Sequence, residues 1–174
     1  LLVEGADHFS DNWLYVHSPD VDFGRITNFR NWSPKLYRNR PHSVMCLEYW
    51  CNNEDKIWSR TEDELVEKAK LDLKTSDLIK NLKVVSGKTY MVPNCYPTFE
   101  VGYREVLDKI NGFLSGIRGL HVIGRYGSFK YNNQDHSILM GLQAADGILS
   151  QEPASLQTIN SDHNYEEDFE ISEI

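Results

Sequence analysis

The apolar period of this chain changes at Thr61, from strand-like runs to a chain dominated by helical spacing, and that change decides its fold class. Before Thr61 the apolar and aromatic residues come in short runs with a two-residue repeat; after it they recur at helical spacing. Residues 12–17 (Asn-Trp-Leu-Tyr-Val-His) read as a strand rich in aromatic and branched side chains, closed by the turn chemistry of Ser18-Pro19-Asp20. Residues 24–32 alternate, with Arg25, Thr27, Phe29 and Asn31 on one face and Ile26, Asn28, Arg30 and Trp32 on the other. Ser33-Pro34 ends that run, and residues 44–50 form a third strand-like stretch. Short connections between such strands predict an antiparallel sheet.

Thr61-Glu62-Asp63-Glu64 is a capping box, with Thr61 as N-cap and Glu64 at the third helical position. The helix it opens carries Leu65, Ala69 and Leu73, with acids early and lysines late, as the helix dipole favours. Residues 84–99 read as extended, bending at Tyr96-Pro97. A second helix is expected over 103–114, with Val106, Leu107, Ile110 and Phe113 facing a core. Residues 120–124 are expected as a strand. Residues 135–149 are expected as a third helix burying Ile138, Leu139, Leu142, Ala145, Ile148 and Leu149. Strands followed by helices make the chain α+β, an antiparallel sheet with packed helices, rather than a βαβ series.

The 174 residues suffice for one domain with a core, and no apolar run approaches the roughly 20 residues of a membrane span. Leu1 stands where an initiator methionine would, the start expected of a piece of a larger protein. The net charge of −8 is uneven. Residues 151–174 hold seven acids and no Lys or Arg, so of the 26 acids 19 remain in the body against 18 bases. The reading is therefore a body over 1–150 and an acidic, disordered tail over 151–174. No clustered basic face points to nucleic acid. Cys46, Cys51 and Cys95 form no CxxC pair, and the six histidines form no HxxxH or HExxH pair, so neither a disulfide framework nor a metal site is expected. Such cysteine usage fits a reducing, cytoplasmic compartment. The four tryptophans read as sheet and core packing.

The residues that point to chemistry are 124–137, Gly-Arg-Tyr-Gly-Ser-Phe-Lys-Tyr-Asn-Asn-Gln-Asp-His-Ser. They join an apolar strand to a helix N-terminus through a glycine-hinged polar turn, where backbone N–H groups and a cation converge. Gly124 and Gly127 allow a ligand to approach the backbone at Arg125, whose guanidinium suits phosphate or an anionic ring. On local sequence alone, Arg125 reads first as a surface arginine capping strand carbonyls.

This segment closely resembles the C-terminal flavin-contacting segment of FAD-dependent oxidoreductases of the amine oxidase, protoporphyrinogen oxidase and UDP-galactopyranose mutase superfamily. The resemblance spans roughly residues 10–150 and is strongest over 120–141. It implies that Gly124 and Arg125 lie at the isoalloxazine, with Arg125 in the catalytic role, and that Asn133, Gln134, Asp135, His136 and Ser137 form the turn and first helical residues near the flavin. His136 is implied as a flavin-shell or capping residue rather than a proton shuttle. Mutase relatives carry a similar Gly-Arg…Tyr segment, which implies that Tyr131 meets a nucleotide-sugar diphosphate. A second likeness, Gly24-Arg25-Ile26-Thr27-Asn28-Phe29-Arg30-Asn31-Trp32-Ser33-Pro34, implies that Arg25 meets substrate phosphates; without it, Arg25 reads as a strand arginine paired with Glu48. The His136-Ser137 pair departs from the mutase-type continuation and is closer to the oxidoreductase relatives.

Those enzymes begin with a dinucleotide-binding βαβ unit, and this chain contains no GxGxxG. What the resemblance implies is the C-terminal, substrate-sheet and flavin-capping portion of a two-domain FAD-dependent oxidoreductase of the amine oxidase and protoporphyrinogen oxidase kind, inactive by itself, with a UDP-galactopyranose mutase-like enzyme as the alternative. It would act on a small molecule, a nucleotide sugar or an amine, once a dinucleotide-binding segment completes the site. The competing expectation is a free-standing α+β binding module without catalysis.

Overall fold

The computed structural model describes residues 1–6, 8–150 and 156–160, and the chain divides into two compact units, Leu1–Met91 and Val92–Ile174. In the first unit the alternation of the sequence produces five short strands: β1 Leu2–Glu4, β2 Trp13–Tyr15, β3 Arg25–Asn28, β4 His42–Glu48 and β5 Val84–Ser86. They form one antiparallel sheet in the order β2-β3-β4-β1-β5. The pairing places Leu14 opposite Ile26 and Ile26 opposite Leu47. These residues belong to the core side, where Val3, Phe23, Ile26, Met45, Leu73 and Ile79 are buried together.

The other face of β2 and β3 carries Trp13 opposite Thr27 and Tyr15 opposite Arg25. Trp13 stacks on Trp32 with ring centres 5.6 Å apart, and Tyr15 lies 6.4 Å from Trp50. Trp13, Trp32 and Trp50 are exposed, so Trp13 packs on Trp32 and Trp50 on Tyr15, outside the core. The one-residue alternation forces this, because Leu14 and Ile26 already occupy the inward positions.

The strand expected over 24–32 stops at Asn28. The Asn28 side-chain oxygen accepts the Arg30 N–H at 3.1 Å, and residues Phe29–Asn31 close into a 3₁₀ turn. A short polar side chain bonding its own backbone two residues on competes with the ladder and ends it. Ser33 then caps α1 (Pro34–Tyr37), with Pro34 in the first turn. Helix α2, Glu62–Thr75, forms as its capping box dictates: Thr61 Oγ1 accepts the Glu64 N–H at 3.3 Å, and Glu64 Oε2 accepts the Thr61 N–H at 2.8 Å. It buries Ala69 and Leu73 and ties itself down through Asp72.

The second unit contains α3 (Tyr103–Ser115), a four-residue helical turn α4 (Gly124–Gly127) and α5 (Gln134–Ser150). Two sequence expectations change here. Residues 120–123 form no strand: Ile123 is extended at φ −135° and ψ 167°, but no strand among the described residues pairs with the segment. The apolar stripes of α3 and α5 are also largely bare. No α3 residue is buried, and α5 buries Met140 and Ala144 while Phe113 is 73% and Leu149 83% exposed. Helical periodicity located both helices, but a stripe buries itself only where a partner element meets it.

The described part of 151–174 is a turn, Leu156–Thr158 followed by Ile159 and Asn160, with Ile159 buried. The rest of the acidic tail lies outside the described residues. Among the described residues no helix is long and apolar enough to cross a membrane.

Candidate functional site

Arg125 sits in α4, the first helical turn after the extended residues 120–123. The glycine-hinged polar turn expected here is therefore helical. Ile123 leads in from the extended region, and Gly124 reverses the chain at φ +78°, a conformation L side chains resist. The Gly124 carbonyl then accepts both the Ser128 N–H at 3.0 Å and the Ser128 hydroxyl, which closes the turn. A Cβ on Gly127 would stand 3.3 Å from the Val122 carbonyl carbon, so any larger residue there would press the returning chain back by a few tenths of an ångström.

This turn aims the Arg125 guanidinium at two tyrosines. Its central carbon lies 5.1 Å from the Tyr96 ring centre and 4.7 Å from that of Tyr131. The two rings stack on each other, 5.3 Å apart and 13° from parallel. Arg125 Nε donates to the Asn132 carbonyl at 2.9 Å, and the Tyr126 hydroxyl donates to the Cys95 carbonyl at 3.3 Å. Segment 95–96 is thus fastened to α4. A guanidinium held against aromatic faces keeps its charge and loses part of its freedom, a pre-organised cation beside two phenol groups.

Directly after this cluster α5 begins. The Asn133 N–H is taken by His136 Nδ1 at 3.1 Å, so His136 serves as a side-chain cap of its own helix. Asn133, Gln134 and Asp135 are exposed and His136 and Ser137 half-buried. A 17-residue helix presents its first-turn amides and a partial positive charge at this end. Gly124, Arg125, Tyr131 and residues 133–137 therefore fall within one continuous stretch of the second unit.

Arg25 belongs to the first unit and is engaged locally. Its Nε and one terminal nitrogen grip the two oxygens of Glu48 at 2.8 and 2.6 Å, and the other meets the Tyr15 hydroxyl at 3.3 Å. The structure thus contains the Glu48 pair of the local reading. Arg30 donates to the carbonyls of Arg40 and His42 and lies 3.8 Å from the Tyr37 ring centre.

Sequence reasoning missed Tyr96 and Asn132. Tyr96 was legible only as the residue before a proline, which fixes an extended backbone but says nothing of a contact with Tyr131. Asn132 is 2% exposed, a burial that nothing in a run of polar residues reveals.

A flavin can be tested against this donor set. First-turn amides, an exposed polar N-terminus and a fixed arginine suit the negatively polarised part of such a ring. They fit a portion of the cofactor and provide no cradle for adenosine or pyrophosphate. Among the described residues no group of three His, Cys, Asp or Glu side chains is placed to hold a metal ion.

No protein-family model matches the chain. A crystal structure of reduced UDP-galactopyranose mutase is similar to it, with a TM-score of 0.74 and 27% sequence identity over 94% of this chain. The match covers 35% of that enzyme, so the chain spans about a third of the length of the structure it resembles.

Proposed function

We propose that this chain is the substrate-sheet and flavin-contacting portion of an FAD-dependent enzyme that acts on a nucleotide sugar, in the manner of UDP-galactopyranose mutase. The observation that carries this reading is the Arg125–Tyr96–Tyr131 cluster at the start of α5, joined to the structural likeness reported above. A bound flavin supplies electron-pair chemistry that protein side chains lack. The chain's own contribution is positional and electrostatic. Gly124 and the first turn of α5, residues 133–137, leave room and donors beside the ring. Arg125 and the helix N-terminus add positive potential there, and Tyr131 contributes a donor suited to a diphosphate, a role the reading gives separately to Arg25.

The bare stripes of α3 and α5 and the unpaired residues 120–123 support a further element of the reading. A dinucleotide-binding segment completes the fold and the cofactor site, and the isolated chain is inactive without it. A cytoplasmic location accords with the free cysteines Cys46, Cys51 and Cys95.

The His136-Ser137 pair favours a second reading, oxidation of an amine or porphyrinogen-like substrate by an amine oxidase-like enzyme. A catalytically silent binding module is the third. The visible spectrum and intact mass of protein from its natural source test all three. Flavin bands near about 450 nm on a species well above 20.1 kDa support the flavoenzyme. A colourless 20.1 kDa species supports the binding module and removes the basis of the site. Turnover of a nucleotide sugar without net oxidation separates the mutase from the oxidase.

A further inference from the structure

The loop between α4 and α5 is held from its far side by the last described residues of the chain. Asn160 Nδ2 donates to the Tyr131 carbonyl at 3.0 Å and to the Asn132 side-chain oxygen at 2.9 Å. Lys130 Nζ donates to the Ile159 carbonyl at 2.8 Å. Ile159 is buried, and Asn160 occupies the left-handed region at φ +51°, which asparagine tolerates better than most residues.

Asn132 joins these ties to the arginine. Its carbonyl accepts Arg125 Nε, its side-chain oxygen accepts Asn160, and its side-chain nitrogen meets the buried Met140 sulfur at 3.2 Å. A buried amide with each of these groups engaged permits one arrangement of its neighbours. The flanking residue is Tyr131, whose ring stacks on Tyr96 against Arg125.

We infer that Asn160 is a positioning residue: the turn 156–160 is a strap that fixes the 130–132 loop, and through Asn132 it sets the placement of Arg125 and the Tyr96–Tyr131 stack. The strap grips the Tyr131 carbonyl and the Asn132 side chain and makes no hydrogen bond to the tyrosine ring. Its consequence for diphosphate binding rests on the function proposed above, whereas the strap itself does not.

Asn160→Asp in the full chain is the test, because it keeps size and backbone preference and removes both donated hydrogen bonds. The readout is the Arg125 Nε–H signal in an ¹⁵N NMR spectrum, with the nuclear Overhauser contact between the Tyr96 and Tyr131 rings. The strap predicts solvent exchange of Arg125 Nε–H about fivefold faster, the change expected for one ordinary hydrogen bond lost, and a weakened ring contact. First-unit signals stay unchanged. An Arg125 signal within about twofold of the parent, with the Ile159 amide freed, overturns it. If Asn160→Asp does not fold, Lys130→Met cuts the tie to the Ile159 carbonyl and is judged by the same signal.

Titration with UDP separates the two claims. No response of Tyr131 or Arg125 in the parent chain, together with a loosened Arg125 in the variant, supports the strap and counts against a diphosphate contact at Tyr131 within this chain. A parent response with equal UDP affinity and an unmoved Arg125 in the variant overturns the strap and leaves that reading standing.

Discussion

The Tyr49 hydroxyl donates to Asp72 Oδ2 at 2.9 Å, and the same carboxylate oxygen is 2.9 Å from Lys68 Nζ. Lys68 also meets Asp22, so a loop, the end of β4 and helix α2 converge on one ammonium group. Burial, then the hydrogen bond to Asp72, pushes the Tyr49 phenol far above its ordinary value, which keeps it a neutral donor. Removing Asp72 leaves the Tyr49 phenol without its acceptor and the Lys68 ammonium group with Asp22 alone. Asp72→Ala should destabilise the first unit by about 2–3 kcal/mol and Tyr49→Phe by about 1 kcal/mol. Urea unfolding followed by tryptophan fluorescence reads both, since all four tryptophans lie in this unit.

The capping box of α2 should show itself in acid. The Thr61 N–H, then the Thr61 hydroxyl, hold the Glu64 carboxyl below its ordinary value of 4.5. A carboxylate whose folded value is depressed stabilises the folded state fully above 4.5, and that contribution fades as pH falls through the lower folded value. The Thr61 amide signal should therefore titrate with a midpoint below 4.5, and a midpoint above it would contradict the cap. Glu64→Gln should remove the titration while leaving the helix in place at neutral pH.

Arg25 and Glu48 form a two-pronged pair on a half-buried face, so each limits what the other can bind. Arg25→Lys keeps the charge and loses the fork, at an expected stability cost of no more than about 1 kcal/mol that shrinks in high salt. If Arg25 serves a diphosphate, Glu48→Gln should strengthen UDP binding severalfold and Arg25→Lys should weaken it. Calorimetric titration of both variants gives the two signs, and equal affinities would exclude Arg25 from the site.

Gly124 is required for its backbone angle and not for space. It stands at φ +78°, and no atom lies within 4 Å of an added Cβ. Gly124→Ala should cost about 1–2 kcal/mol from the left-handed conformation alone and displace the Arg125 Nε–H signal. Thermal melting with the same NMR signal checks it; an unshifted signal would mean the turn tolerates the strain.

The elements legible in the sequence were those with local causes. Thr61 and Glu64 sit three residues apart and specify α2 between them, and residues 103–115 and 134–150 carry their own helical period. Strand β1 was missed because three residues, Leu2–Glu4, give alternation no length in which to show. Residues 120–123 were read as a strand because their composition is right, whereas a strand also needs a neighbour. The site divides the same way. Gly124, Arg125 and Tyr131 stand in one run of residues, while Tyr96 and Asn160 join it only through folding, 29 residues before Arg125 and 29 after Tyr131.

Strand β1 lies between β4 and β5, with Leu2 facing Val44 on one side and Ser86 on the other. The first residues of this span thus bond to some of the last residues of its sheet. During synthesis β1 to β4 can pair once residue 48 has left the ribosome, and β5 joins beside β1 only when residue 86 follows, a contact that spans most of the first unit. The sheet therefore closes in two stages, four strands first and the edge strand β5 last. Until then β1 carries an open edge that a chaperone or a second chain could occupy.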